Sequence, residues 1–362
     1  MKLKITLLMF FLTLAITAQT TTWTGGSSTI WHVPGNWTNG VPNATTDAII
    51  PTNNNNTPNP MITSSFGTAF VKDLTIQGSR PFTVANGGAL TIEGNLTQNG
   101  TIVVNSNATS NGSLILKGTT SGFVTYNRHT KTSNWHLMSS PVLSESIVRF
   151  SGGGGYSTNG NNHAIATYDN TMATPSLRYV YYTTAAGANN IANAGHFVAG
   201  KGYSIKTDFA TIFPFTGFIN ASDVSVAITD GSATGNKWNL VGNPFTASIN
   251  ANANADAVNN FLTVNANQLD PARVAMYVWN GTSYDIINQA TAGSKHIAVA
   301  QGFFVESKDG GGTIQLTRAM QSHQTGDNFQ RISNVTPSIK LMLSDGTTQK
   351  STAIKYFSNA TR

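Results

Sequence analysis

From about residue 131 onward the sequence repeats itself, and this duplication constrains the fold more than any other feature. Asn134-Trp135-His136-Leu137 followed by Ser140-Pro141 matches Lys237-Trp238-Asn239-Leu240 followed by Asn243-Pro244, at an offset of 103 residues (135 to 238, 141 to 244). His196, Gly202, Tyr203 and Ile205 match His296, Gly302, Phe303 and Val305 at an offset of 100, and Thr211-Ile212 matches Thr313-Ile314 at 102. Between these, Tyr168 corresponds to Trp279, where the offset grows to 111. Four matches in one order, separated by loops of unequal length, predict two copies of one unit at residues 131–230 and 231–336.

The unit reads as a strand assembly. Successive side chains on a strand point to opposite faces, so Trp and Leu two positions apart share a face. Tyr203 with Ile205, or Phe303 with Val305, do the same after a glycine that permits close backbone approach. Each copy is therefore expected to be β-sandwich-like with an aromatic core. The matched residues read as core formers rather than as a copied active site.

Residues 19–130 have another character. Trp23, Trp31 and Trp37 open the segment, and short apolar runs follow at Leu74-Thr75-Ile76, Leu90-Thr91-Ile92, Ile102-Val103-Val104 and Leu114-Ile115-Leu116, every 12 to 16 residues or so. Turn dipeptides are dense throughout the chain: Asn-Gly at Asn39, Asn86, Asn99, Asn111, Asn159 and Asn280, Asp-Gly at Asp230, Asp309 and Asp345. Both supply the positive φ of tight hairpin turns. Short strands at quasi-regular spacing predict an all-β protein with a β-solenoid or β-helix-like N-terminal region; the other arrangement open to it is an antiparallel sandwich. Helix is expected only locally, at 144–150 and around 255–264. After 337 a hairpin is expected, with Ile339, Leu341 and Leu343 alternating before Asp345-Gly346. It either completes the preceding unit or opens a further β-domain.

Lys2 and Lys4, the apolar run Leu7–Leu14 and the small residues up to Ala18 have the layout of a signal peptide at 1–18. The run is too short to span a membrane, which takes about 20 residues. The expected localisation is secreted or on the outer cell surface, with no membrane span. No cysteine is present, so disulfides, thiolate zinc sites and cysteine nucleophiles are excluded. Charged residues are 10% of the chain, against about 25% in an average globular protein, and the surface must be wetted largely by Asn, Thr, Ser and Gly. The formal charge of +6 is scattered. Its nearest approach to a cluster, Arg128-His129 with Lys131, reads as a solvated loop, and no nucleic-acid partner is expected.

The search for chemistry returns little. A solenoid lyase or hydrolase needs carboxylates converging from adjacent rungs, and the candidates are Asp47, Asp73 and Glu93. The duplicated His196 and His296 could ligate a metal, but duplication copies structural residues just as faithfully, so no metal site and no cofactor is expected. Trp23, Trp31 and Trp37 are the candidate glycan-stacking residues; equally, three tryptophans at this place could cap the open end of a solenoid. No catalytic residue is expected.

Two stretches carry a family resemblance. Trp23-Thr24-Gly25, Asn36-Trp37 and Asp47-Ala48-Ile49-Ile50 resemble the start of β-helical secreted proteins of Bacteroidetes. Trp238-Asn239-Leu240-Val241-Gly242-Asn243-Pro244-Phe245, Tyr277-Val278-Trp279-Asn280-Gly281 and Gln301-Gly302-Phe303-Phe304-Val305 are similar to the region preceding the sorting domain in type IX secretion system cargo proteins. The resemblance implies export across both membranes and the type IX machinery as a partner. Such cargo carries a C-terminal sorting domain, which residues up to 362 do not include, so the chain is expected to be a fragment if that route is used. The functional expectation is a non-catalytic structural or adhesion-type surface protein, its partners extracellular glycans or cell-surface components. The alternatives are a carbohydrate-binding module array and a β-helix polysaccharide lyase or hydrolase.

Overall fold

The computed structural model describes residues 19–52, 57–120, 122–151, 155–231, 233–324 and 326, with the backbone of the strands Ser338–Ser344 and Gln349–Lys355. The leader expected at 1–18 lies outside the described residues. Strand makes up 41% of the chain and helix 9%. Among the described residues no helix is long and apolar enough to cross a membrane.

Residues 48–127 coil through about three turns of a β-solenoid. Asp47–Ile50, Leu74–Ile76 and Leu96–Gln98 stack in one parallel sheet, and Thr68–Val71, Ala89–Ile92 and Ser113–Leu116 in a second. Met61–Ile62, Phe82–Val84, Ile102–Asn105 and Phe123–His129 form the third. Leu74 stacks under Leu96, so a turn takes 22 residues there. The runs that recur every 12 to 16 residues in the sequence are thus strands of different sheets in one coil. Alternate side chains point inward, and Leu74, Phe82, Leu90, Ile102 and Leu114 are all fully buried. The turn glycines serve rung spacing as well as turn geometry: a Cβ on Gly100 would lie 2.4 Å from the Arg80 carbonyl oxygen.

Both ends of the coil are covered. At the first rung, Trp23, Trp31 and Trp37 pack edge-to-face, with centroids 5.1 and 4.6 Å apart, and Trp31 lies against Phe82. At the last rung the repeats take over. Leu114 donates to the Thr246 carbonyl and Thr246 Oγ1 donates to the Leu114 carbonyl, at 3.0 and 2.7 Å. His323 bridges Thr91 Oγ1 and Ser113 Oγ at 2.8 Å each. A coil that would expose apolar ends to water is sealed by tryptophans at one end and by both repeats at the other, where Ile212–Ile219 of the first copy also pairs with the last strand.

The two copies share one strand order. In the first, His136–Met138, Tyr203–Ile205, Asn162–Tyr168 and Tyr179–Thr183 are neighbours in an antiparallel sheet. In the second, Trp238–Gly242, Gly302–Glu306, Met276–Trp279 and Tyr284–Ile287 repeat that order. Each copy has a flanking pair behind this sheet: Phe123–His129 with Ile212–Ile219, and Val224–Ile228 with Gly312–Leu316. The unit therefore begins one strand before the Trp-x-Leu motif. Val224–Ile228, inside the 131–230 boundary by sequence, pairs with the second copy, and Ile228 enters its core. Phe123–His129 is both the last solenoid strand and the first strand of copy one, so 130 is no boundary in space. Of these flanking strands Phe123–His129 and Val224–Ile228 carry none of the matched motifs, which hides them from sequence comparison.

Three local expectations change. Arg128 lies within a strand and is fully buried against Asn111, not in a solvated loop. At 144–150 only a 3-10 turn forms, Val148–Phe150, and at 255–264 the helix is confined to Phe261–Asn265, capped by Asn260 accepting from the Thr263 amide. The C-terminal hairpin is present as Ser338–Ser344 paired with Gln349–Lys355.

The copies meet about a pseudo-two-fold axis. Lys201 bridges Val241 and the equivalent Gln301 bridges Met138. Gly242 donates to the Gly200 carbonyl at 2.9 Å, and Ser139 donates to the Ala300 carbonyl at 3.0 Å. A Cβ on Gly202 would come within 2.7 Å of Leu240 Cγ, and one on Gly302 within 3.0 Å of the Leu137 carbonyl carbon. Each copy's glycine seats the other copy's Trp-x-Leu strand. The motif that marks the duplication is its internal interface.

Candidate functional site: an aromatic groove between the repeats

The Trp-x-Leu strands present two faces. Leu137, Leu240 and Phe304 form a small buried cluster between the copies, and the part-exposed Tyr168, Tyr179, Trp238, Tyr277 and Trp279 pack on it. These strands are apolar on both faces because one face joins each copy's own core and the other builds this second surface. Trp238 stands perpendicular to Tyr277 (4.6 Å, 88°), Tyr168 lies edge-on to Phe304 at 4.9 Å, and Trp279 is 5.1 Å from Tyr284. Polar contacts hold the walls. Trp279 Nε1 donates to the Trp135 carbonyl at 3.1 Å, and Asn236 Nδ2 donates to the Tyr168 hydroxyl at 2.9 Å.

Two cavities lie side by side in this groove. The first, about 300 Å³, has walls of Tyr168, Trp238 and Tyr277 with Arg178 at its rim; the second, about 250 Å³, has Trp135, Tyr181 and Trp279. Tyr179 and Tyr284 line both. These two tyrosines are the cross-strand partners of Tyr168 and Trp279, which are equivalent in the two copies. The cavities are therefore counterparts under the duplication, divided by an equivalent tyrosine pair at the mid-line. Burial, then the neighbouring Tyr284, pushes the Tyr179 phenol far above its ordinary pKa, and burial also raises Tyr284. Both stay neutral hydroxyls able to donate and accept. Tyr181 and Tyr284 remain 37% and 41% exposed, so aromatic faces are open to a ligand.

A third cavity of about 390 Å³ adjoins the second and shares Trp135 and Tyr181 with it, adding Ser157, His163 and Lys206. Arg178 is tied to its own loop by donating to the Met172 and Ala173 carbonyls.

The residues singled out by sequence fall elsewhere. Trp23, Trp31 and Trp37 are 1%, 0% and 5% exposed, and the indole nitrogens of Trp23 and Trp37 donate to the Pro58 and Trp31 carbonyls. They offer no face to a sugar, because the end of the coil consumes them. The tryptophans that do offer faces are Trp135, Trp238 and Trp279, which sequence matching had assigned to the core. The signal available was a strand apolar on both faces, together with Tyr179-Val180-Tyr181-Tyr182.

The carboxylates form a ladder at one corner of the coil. Asp47 Oδ1 accepts the Asp73 amide (3.3 Å), Asp73 Oδ1 accepts the Asn95 amide (2.6 Å), and Asn95 Oδ1 accepts the Thr119 amide (3.0 Å). Lys72 lies 3.5 Å from Asp47 and 3.6 Å from Asp73, and Lys117 pairs with Glu93 on the next rung at 2.8 Å. His196 and His296 sit in separate backbone bridges, to Ser146 and Asn250. Among the described residues no group of three or more metal-ligating side chains converges.

The assembly is an all-β solenoid carrying a duplicated sheet unit with an aromatic groove at the junction. The chain belongs to the family described as a domain of unknown function (DUF8693), which matches residues 22–362. No curated protein and no solved structure is detectably similar to it.

Proposed function

We propose that this is a non-catalytic protein of the cell exterior that binds carbohydrate in the groove between its two repeats. The observation that carries the reading is the groove itself: two equivalent, part-open cavities walled by Trp135, Trp279 and Trp238 and the tyrosines between them. The apolar faces of sugar rings stack on aromatic side chains, while phenol and indole edges supply hydrogen bonds. Arg178 and Lys206 at the rims argue against a cationic ligand of the kind aromatic cages take. The commitment of Asp47, Asp73 and Glu93 to the rung ladder and to lysines supports a binding role over hydrolysis.

Export fits the leader-like residues 1–18, the absence of cysteine and the low charge. Delivery by the type IX route, with that machinery as a transient partner, rests on the motif resemblance alone. In this reading the solenoid is a rigid mount for the groove, giving an adhesive face held away from the anchoring surface. A glycan-array screen of the chain tests the proposal. Binding lost in both Trp135→Ala and Trp238→Ala supports it; no glycan bound by the folded wild-type chain overturns it.

A further inference from the structure

The third cavity differs from the two beside it. Ser157 and His163 are 7% and 6% exposed, yet Ser157 Oγ and His163 Nδ1 have no hydrogen-bond partner among the described residues. A buried polar atom without a partner loses its hydration and gains nothing in return, and these two belong to residues that line one cavity, where a side-chain rotation offers each of them to a polar group from outside. The backbone there is already satisfied: Ser157 donates to the Lys206 carbonyl at 2.9 Å and Ala164 donates to the Ser157 carbonyl at 2.7 Å. Only the side chains are left over. Lys206 lines the same cavity, Asn159 and Asn162 add amides, and neither an aspartate nor a glutamate is among its lining residues.

Resting on the carbohydrate reading of the groove, we infer that the Lys206–His163–Ser157 cavity receives the anionic substituent, a carboxylate or sulfate, of an acidic glycan whose rings lie on Trp135 and Tyr181. The cation neutralises the charge, and the serine hydroxyl can donate to one oxygen. The imidazole donates to another when Nδ1 carries the proton. Trp135 and Tyr181 are shared between this cavity and the neighbouring aromatic one, which puts the charged substituent beside the stacking surface. A neutral glycan's hydroxyls can pair with Ser157 and His163 but bring no charge to Lys206, so the cavity favours the acid.

The test compares three oligosaccharides of equal length by titration calorimetry: one neutral, one built of uronic acids, one neutral backbone carrying sulfate esters. Wild-type protein should bind one or both acidic ligands at least tenfold more tightly than the neutral one, with an advantage that shrinks as sodium chloride rises from 50 to 500 mM. Which acid wins identifies the substituent. Lys206→Gln should lose that advantage, bringing the acidic ligands down to the affinity of the neutral one, while Lys206→Arg keeps most of it. A melting curve of each variant matching wild type excludes a folding defect. Should Lys206→Gln be unstable, the salt dependence of the wild type and of Lys206→Arg decides the matter. Equal affinity for neutral and acidic ligands, or equal loss of both in Lys206→Gln, overturns this inference alone if binding still needs Trp135. If no ligand binds, the groove reading falls with it.

Discussion

Ser139 and Gly242 hold the same place in the two repeats and face each other across the pseudo-two-fold axis. A Cβ on Gly242 would come within 2.4 Å of Ser139 Cβ and 3.0 Å of the Gln301 carbonyl oxygen. A residue on such an axis meets its own equivalent, so only one copy can carry a side chain there. Gly242→Ala should destabilise the chain by about 1–3 kcal/mol through overpacking. Adding Ser139→Gly should recover part of that loss, the Gln301 contact remaining. Chemical denaturation of the two single variants and the double variant measures the coupling.

The six tryptophans should separate into two behaviours. Trp31→Ala, at the buried cap, should cost about 3–5 kcal/mol; the milder Trp31→Phe should lower the melting temperature and leave ligand affinity intact. Trp238→Ala should cut glycan affinity by tenfold or more while changing stability less than Trp31→Ala does. Calorimetric binding alongside thermal melts checks both; equal binding loss in the Trp31 and Trp238 variants would count against the groove.

Acid should loosen the clasp between repeat and solenoid. Burial, with Lys117 adding to it, lowers His323 to about 4, and burial, with Arg128 adding to it against the Asn134 carbonyl, lowers His136 to about 4. Both ionise near 6.5 when unfolded. The unfolded chain therefore binds more protons between these values, and stability is complete above about pH 6.5 and declines as pH falls toward 4. Each histidine should contribute a slope of the order of 1 kcal/mol per pH unit in that window. His323→Gln, which keeps hydrogen-bonding capacity, should flatten the decline measured by urea unfolding at pH 7, 6 and 5.

Ala300 has φ of 59°, and its equivalent Gly200 has 76°. A Cβ in the left-handed region costs about 1 kcal/mol, against which glycine's larger unfolded-state entropy works. Ala300→Gly, in the turn before Gly302–Glu306, should therefore leave the chain as stable or raise stability by a few tenths of a kcal/mol, in contrast to the loss expected for an alanine-to-glycine change within a buried strand. Thermal unfolding decides it.

The corner ladder makes a separate forecast. Asp73→Asn keeps an acceptor for the Asn95 amide and should be close to neutral, whereas Asp73→Ala should cost about 1 kcal/mol by orphaning that amide. Neither should alter glycan affinity. A stability difference between the two that is absent, or a binding defect in either, would reassign this carboxylate.

Much of the architecture was legible in the residues. The duplication, the strand content and the coil follow from local facts: alternation, turn dipeptides and the order of Trp-x-Leu, Gly-aromatic and Thr-Ile motifs. The flanking strands Phe123–His129 and Val224–Ile228 were not legible, since pairing across about 90 residues leaves no shared motif. Arg128 misled because a charge beside His129 and Lys131 resembles a loop until its strand and its Asn111 partner are seen.

The sequence by itself determined that there are two copies and that their matched residues must pack. Which tryptophans are buried and which are open was decided only in three dimensions. Trp23, Trp31 and Trp37 seal the coil because, among the described residues, no further rung stacks on the first. Trp135 and Trp238 open onto a groove because each copy's Trp-x-Leu strand lies against the other copy's glycine, Gly302 and Gly202. A side chain's exposure depends on what the rest of the chain places over it, and strand periodicity fixes only the face on which it stands.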